Sequence, residues 1–142
     1  MKRFILALTL ILQFNYTYAS NENTHKYKSC ENNFTHKKTS TGEIFRTSDV
    51  VYHTNKLEAF KKVSKYIAMD GWNINNSDIN IGMINASQDV PFSNGKVAPL
   101  NIFINNIEDA IEISISYSTS SGVYSPKDAV MNNFCKIITS AT

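Results

Sequence analysis

The sequence is poor in the residues that build the commonest phosphate and metal sites. Its five glycines are widely dispersed over 142 residues, which excludes a glycine-rich phosphate-binding loop. Its three histidines, His25, His36 and His53, are scattered without the paired spacing that metal ligands show. The sequence therefore predicts no metal site, and we expect these histidines to be exposed.

Signatures of nucleophilic catalysis are also lacking. Residues 120–122, Ser-Ser-Gly, lack the flanking pattern of a nucleophile elbow, and Cys135 has no distinctive local motif. The adjacent acids Glu108 and Asp109 stand at the start of a predicted strand, where solvated turn carboxylates are far commoner than an acid/base pair. The interpretation is a non-enzymatic protein with no catalytic residue and no cofactor.

One long apolar run is present, from Phe4 to Leu12, and it is shorter than the roughly 20 residues that span a bilayer. Lys2 and Arg3 precede this run, and Ala19 ends a small-residue cleavage pattern. Residues 1–19 are therefore predicted to be a signal peptide. We expect an exported protein, periplasmic or secreted, without stable membrane insertion after signal cleavage.

Net charge gives no indication of a nucleic-acid partner. The chain has 14 basic and 12 acidic residues, and removal of Lys2 and Arg3 with the signal leaves the two signs balanced. Nucleic-acid binders normally carry a basic excess on one face. The locally basic segment from Lys26 to Lys38 is interpreted as a solvated tail.

Two cysteines, Cys30 and Cys135, remain in the mature chain. In an exported protein such a pair favours one disulfide, and two free thiols are the alternative. The bond would close a loop of 105 residues. The chain-entropy model assigns such a loop about 4–5 kcal/mol of stabilisation.

The clearest secondary-structure signal runs from Ile107 to Tyr117. Apolar and polar residues alternate there with the period of a strand that has one buried and one solvated face. The inward residues are Ile111, Ile113, Ile115 and Tyr117, and the outward residues are Glu112, Ser114, Ser116 and Ser118.

Two segments have the apolar spacing of amphipathic helices. The first begins after Asn55, a residue type that caps helices, and ends at Asp70-Gly71, where Gly71 suits the left-handed C′ position. The second begins with Ser125 as N-cap and Pro126 at the first helical position. The apolar stripes are Leu57, Phe60, Val63 and Ile67 in the first helix, and Val130, Phe134, Ile137, Ile138 and Ala141 in the second.

Four further strands are predicted, within residues 43–53 and at 72–74, 81–88 and 100–104. Turns are expected at 75–78 and 105–106, and Gly82 indicates a bulge or a close backbone approach. The order β-α-β-β-β-β-α predicts an antiparallel meander sheet with two helices on one face. This fold class is an α+β two-layer sandwich. We divide the chain into a signal peptide (1–19), a polar N-terminal arm (20–41) and a single α+β domain (42–142).

The segment from residue 57 to 141 resembles small bacterial envelope domains, and its element order is similar to the helix-grip domains of an outer-membrane assembly lipoprotein. The residues that carry this resemblance are Gly71-Trp72, Asp78, Gly82, Ile84 and Ala86. The resemblance implies a mostly non-catalytic domain. The chain departs from the lipoproteins because it lacks a lipidation cysteine directly after its signal.

Aromatic residues in loops are the remaining functional candidates. Phe92, Asn94 and Tyr124 lie in the predicted loops 89–98 and 119–124, which would form a binding site if they meet. Trp72 follows a helix and starts a strand, which favours a core position over a contact position.

Three binding functions are compatible with these sequence features. The first is an exported accessory domain that interacts with a protein or a cell-envelope component. The second is a secreted or periplasmic inhibitor or immunity-type protein that inserts a loop into an enzyme. The third is a carrier of a small hydrophobic ligand in a groove between the sheet and the C-terminal helix.

Overall fold

The computed structural model describes residues 28–91, 93 and 95–142. The predicted signal peptide, residues 20–27 of the predicted arm, His25, Phe92 and Asn94 lie outside the described residues. The helices are α1 (Lys28–Asn32), α2 (Lys56–Met69) and α3 (Lys127–Thr139). The strands are β1 (Thr35–Thr39), β2 (Gly42–Val51), β3 (Asn73–Asp78), β4 (Met83–Asp89), β5 (Val97–Ile107) and β6 (Ala110–Ser120).

The strands form one antiparallel sheet in the order β1-β2-β6-β5-β4-β3. Strand β6 therefore lies inside the sheet, between β2 and β5. Its inward isoleucines, Ile111, Ile113 and Ile115, are buried, whereas Glu112 and Ser114 on the other face are partly exposed. The predicted α+β class with an antiparallel sheet is confirmed.

The inner face of the sheet packs against helices. Ala59, Val63 and Ile67 of α2 are buried, and so are Phe134 and Ile137 of α3. The predicted stripe of α2 is wrong at Leu57, which is 51% exposed. Leu57 lies in the first turn of α2, where the helix has only begun to cross the sheet.

The structure adds two elements that the sequence does not predict, since α1 and β1 occupy residues 28–39 of the predicted polar arm. Strand β1 pairs only with β2 and is mostly exposed, so it lacks the apolar alternation that marks a buried strand. Helix α1 has five residues, and Cys30 in its middle is buried. The observed order is thus α-β-β-α-β-β-β-β-α, with six strands and three helices in the described part of the chain.

Two predicted turns are misplaced. Asn75 to Asp78 continue strand β3, with a register shift between Ile74 and Asn76, and do not form a turn. The turn before β6 consists of Glu108 and Asp109, because Ile107 pairs with Ala110 and leaves two residues between the strands. The predicted turn residues 105–106 are strand residues of β5.

The start of α3 also differs from the prediction. Pro126 is the N-cap and makes no side-chain capping bond. Ser125, the predicted cap, is buried, and its hydroxyl oxygen lies 3.0 Å from the phenolic oxygen of Tyr117. The Ser125 hydroxyl therefore pairs with the sheet instead of with the helix.

Gly82 makes the predicted close approach. Its φ is +70°, and a Cβ atom built there would lie 2.0 Å from the carbonyl oxygen of Ile104. The amide of Ile104 donates to the Gly82 carbonyl at 2.8 Å. This approach of the two backbones requires glycine.

Cys30 and Cys135 form a disulfide with their Cα atoms 5.7 Å apart. This bond, which the sequence favours, ties the unpredicted helix α1 to the buried side of α3. The Thr47 hydroxyl donates to the Cys30 carbonyl at 2.7 Å, which fixes α1 to β2 as well. Within the described ranges, none of the helices is long and apolar enough to span a bilayer.

Candidate functional site

Two loops meet at one end of the sheet. Gly42 pairs with Ser120 and Asp89 pairs with Val97, so the start of β2, the end of β6 and the β4–β5 connection lie at the same end. We call this the loop end, and we define it as residues 40–41, 90–91, 93, 95–96 and 121–126. The opposite end of the sheet carries the β5–β6 turn and Tyr52.

Side-chain bonds hold the two longer loops together. The ammonium of Lys96 donates to the Ser121 carbonyl at 3.0 Å, which joins loop 90–96 to loop 121–126. Within the first loop, the Val90 amide donates to the Lys96 carbonyl at 2.9 Å, and the Ser93 hydroxyl donates to the Val90 carbonyl. The Lys96–Ser121 bond thus brings the two loops into contact, which was the condition for a binding site there.

Among the described residues of this junction, Tyr124 is the most exposed large apolar or aromatic one, with 74% of its surface accessible. It stands between two hollows of about 310 and 500 Å³. Lys38 and Glu43 line the smaller hollow, and Lys96 and Pro91 line the larger one. Phe92 and Asn94, the other predicted contact residues, remain predictions.

The two neighbours of Tyr124 both make hydrogen bonds. The Val123 amide donates to the Ser120 carbonyl at 3.0 Å, and the next residue, Ser125, is buried against Tyr117 as described above. The exposed side chain of Tyr124 is therefore held between two bonded residues. Such bonds lower the entropy cost of ordering a loop when a partner binds.

A third hollow, of about 250 Å³, lies between the sheet and α3 beside the loop end. Its aromatic residues are Trp72, Tyr117 and Phe134, and its polar residues include Asp70, Gln88 and Asn133. We call it the Trp72 hollow. The groove between sheet and C-terminal helix that the carrier hypothesis requires is therefore present, but polar side chains share its lining.

The end of α2 places Trp72 in this hollow. Gly71 has φ +89°, its amide donates to the Ala68 carbonyl at 3.4 Å, and the Trp72 amide donates to the Ile67 carbonyl at 3.0 Å. These two bonds are those of a Schellman motif, with Gly71 at C′ as the sequence predicts. The motif turns the chain so that Trp72 packs partly against the core.

Aromatic contacts connect the Trp72 hollow with the centre of the protein. Trp72 meets Tyr117 edge-on with ring centroids 5.9 Å apart, and Tyr117 lies 5.7 Å from Phe45. Phe34 follows at 6.3 Å from Phe45 and 5.9 Å from Phe134. Such tilted and edge-on pairs add to the area term of burial, so the Trp72 side chain is well fixed.

A carboxylate with two basic neighbours lies at the edge of the sheet near the loop end. One Glu43 oxygen is 3.5 Å from the Lys38 ammonium, and the other is 3.4 Å from Nε2 of His36. The His36 ring stacks on Phe45 at 4.4 Å. The expectation that His36 is exposed is therefore wrong, because strand β1 places it over the core edge, whereas His53 is exposed.

The sequence predicts a groove between the sheet and the C-terminal helix only as an alternative, and it does not identify the residues that line the Trp72 hollow. Its residues come from the end of α2, the end of β4, the middle of β6 and the first turns of α3, so no local motif unites them. The Gly71-Trp72 step is a local signal, but it indicates only the helix end. Among the described residues, no group of three or more His, Cys, Asp or Glu side chains is placed to hold a metal ion.

Comparisons with known proteins support the fold and give no family. No protein-family model matches the chain, and no curated protein matches it. A conserved protein of unknown function from Enterococcus faecalis has a similar structure, with a TM-score of 0.53 and 8% identity over 83% of this chain and 80% of that one. A TBP-like protein from Parabacteroides distasonis has a TM-score of 0.47 and 15% identity over 74% of this chain and 96% of that one.

Proposed function

We propose that the protein is a non-enzymatic, exported domain that binds a polypeptide, either a secreted protein or a protein of the cell envelope, through its loop end. The observation that carries the proposal is the exposed Tyr124, which lies between two hydrogen-bonded residues and beside two hollows. Tyrosine is enriched among the residues that contribute most of the binding energy at protein interfaces. Its side chain is large, has few rotatable bonds and can pack into or beside a pocket.

Export is supported by two features of the chain. Residues 1–19 have the basic, apolar and small-residue regions of a signal peptide. The Cys30–Cys135 disulfide is typical of proteins of oxidising compartments, such as the periplasm and the extracellular space. The resemblance to helix-grip envelope domains agrees with such a location.

The non-enzymatic part of the proposal rests on the geometry of the polar groups. In the part of the chain that the structure describes, no serine hydroxyl is hydrogen-bonded to a histidine or a carboxylate, as an activated nucleophile would be. The His36–Glu43 pair is engaged with Phe45 and Lys38 at the edge of the sheet. We assign this cluster a structural role.

Binding of a small ligand is a second candidate function, which the Trp72 hollow favours. Ligand sites for drug-sized molecules measure roughly 300–1,000 Å³ and are mostly apolar. The Trp72 hollow has about 250 Å³ and includes a carboxylate and two amides. It suits one side chain or a small polar molecule better than the hydrophobic ligand that the sequence suggests as an alternative.

The test is affinity capture with the mature chain from the envelope and secreted fractions of the source cells, repeated with Tyr124→Ser and Tyr52→Ser. Both tyrosines are exposed, at 74% and 62%, but Tyr52 lies at the opposite end of the sheet. We expect one stoichiometric protein. Tyr124→Ser should weaken its binding by about 2 kcal/mol, roughly 30-fold, while Tyr52→Ser leaves it unchanged.

Equal binding by the two variants would contradict a site at the loop end. A partner that is a hydrolase or a toxin inhibited by the chain would identify the inhibitor or immunity type of binding. Capture of no protein, together with a retained small molecule, would replace the proposal with the carrier function.

A further inference from the structure

The Trp72 hollow combines aromatic rings with a single charge. Among the described residues, Asp70 is the only charged one in its lining, and no lysine or arginine borders it. The faces of aromatic rings and a carboxylate both attract a cation. Complementary charge therefore favours a positively charged group as the occupant.

The exposed carboxylate of Asp70 has one oxygen available for such a contact. One of its oxygens accepts a hydrogen bond from the Asn133 amide at 2.9 Å, which joins α2 to α3 across the hollow. The second oxygen has no hydrogen bond among the described residues. A carboxylate that is held on one side and open on the other can accept a further donor without reorganising.

The two helix ends around the hollow carry partial charges of opposite sign. Asp70 is the C-cap of α2, so the partial negative charge of the last carbonyl groups adds to its own. The amino end of α3 also borders the hollow at Pro126 and Ala129 and contributes the opposite sign. Asp128 in the first turn of α3 offsets that contribution, and the carboxylate of Asp70 remains the full charge at the site.

We infer that the Trp72 hollow binds an arginine side chain of the polypeptide partner, with its guanidinium against Trp72 and Tyr117 and within reach of Asp70. This inference rests on the proposed function, because it assumes that the partner is a polypeptide. The guanidinium is planar, stacks on aromatic rings and offers several donors in one plane, whereas the lysine ammonium is a compact point charge. A volume of about 250 Å³ accommodates one such side chain.

Trp72 is the only tryptophan of the chain, so intrinsic fluorescence reports on the hollow directly. The probe is N-acetyl-arginine amide, titrated at millimolar concentrations into the folded, oxidised protein. The matched probe is N-acetyl-citrulline amide, which has the same shape with a neutral urea group. We expect a saturable change with arginine and an affinity about fivefold weaker with citrulline.

A charge-removing variant locates the contact. Asp70→Asn keeps an oxygen that can accept the Asn133 bond, and it should weaken arginine binding about fivefold. Asp109→Asn removes the same charge from the exposed β5–β6 turn at the opposite end and should have no effect. Urea unfolding of Asp70→Asn and Asp109→Asn is measured first, to establish that both variants are folded.

The titration and the capture experiment fail independently. Equal binding of citrulline and arginine amides, or no saturable signal from Trp72, would overturn the arginine inference while leaving the effect of Tyr124→Ser intact. Capture that is insensitive to Tyr124→Ser would overturn the proposed function even if the arginine amide binds.

Discussion

At the scale of single residues, two glycines with similar φ angles differ in the space around them. They distinguish the energetic cost of a positive φ from the cost of a steric clash. Gly82 and Gly71 both have positive φ, at +70° and +89°. An added Cβ at Gly82 would lie 2.0 Å from the Ile104 carbonyl oxygen, whereas at Gly71 it would meet nothing within 4 Å. The two positions therefore share the conformational penalty but not the clash.

This contrast predicts unequal effects of the same substitution. Gly71→Ala should lower the free energy of unfolding by about 1 kcal/mol, because alanine disfavours the left-handed region. Gly82→Ala should lower it by about 3 kcal/mol, because β4 and β5 must also separate. Urea unfolding of both variants measures the difference. Equal losses in the free energy of unfolding would contradict this prediction, because they would show that the backbone around Gly82 shifts without an energetic penalty.

At the scale of elements, the two long helices begin differently. The side-chain oxygen of Asn55 accepts the Glu58 amide at 2.9 Å and caps α2, while α3 has Pro126 as N-cap without a side-chain bond. The start of α2 is therefore stabilised by a local side-chain bond. The start of α3 lacks such a bond and is held by the tertiary contacts of Ser125 and Phe134.

We expect Asn55→Ala to lower the free energy of unfolding by about 1 kcal/mol, because it removes the cap. The control is Asn132→Ala, an exposed position inside α3, where alanine has the higher helix propensity and should stabilise by roughly 0.5 kcal/mol. Thermal or urea unfolding that gives the two changes the same sign would refute this account of the α2 start.

The same elements show what the sequence could predict. Strand β6, the C-cap of α2 and the approach at Gly82 follow from local chemistry, because alternation, a left-handed glycine and the lack of a side chain are visible in the residues themselves. The cap of α3 does not follow, since the Ser125 hydroxyl is recruited by Tyr117 from β6. Strand β1 could not be predicted, because a mostly exposed edge strand carries no apolar pattern.

The candidate site, too, has one part that local sequence predicts and one part that it does not. The position of Tyr124 in an exposed loop is predictable, because the sequence around it has turn residues and few apolar neighbours. The Trp72 hollow is not predictable, because Asp70 and Asn133 are 63 residues apart and meet only when α2 and α3 pack on the same sheet.

At the scale of the whole molecule, the disulfide connects the first described element with the last. Its removal in the double variant Cys30→Ala, Cys135→Ala should lower the free energy of unfolding by about 2–5 kcal/mol, because the unfolded chain regains the freedom of a loop that spans most of the protein. Urea unfolding measures the loss. Reductant should destabilise the wild type by a similar amount and leave the variant unchanged, and a variant as stable as the wild type would contradict this role.

The sheet order also sets the sequence of events when the chain folds as it is made. Strand β2 pairs with β6, and its partners lie 60 residues away at Val51–Ile111 and 78 residues away at Gly42–Ser120. Strands β3 to β6, in contrast, pair with their immediate neighbours along the chain. Local pairings form faster than distant ones, so β3 to β6 can pair with one another before Phe45 of β2 contacts Tyr117 of β6.

A nascent chain therefore carries β2 without its β6 partner until residue 120 has emerged, and one of the earliest strands to be made is among the last to be protected. An exposed strand of this kind is a template for association with other chains. Truncation before β6 should for this reason produce aggregates, even though most of the strands are already present.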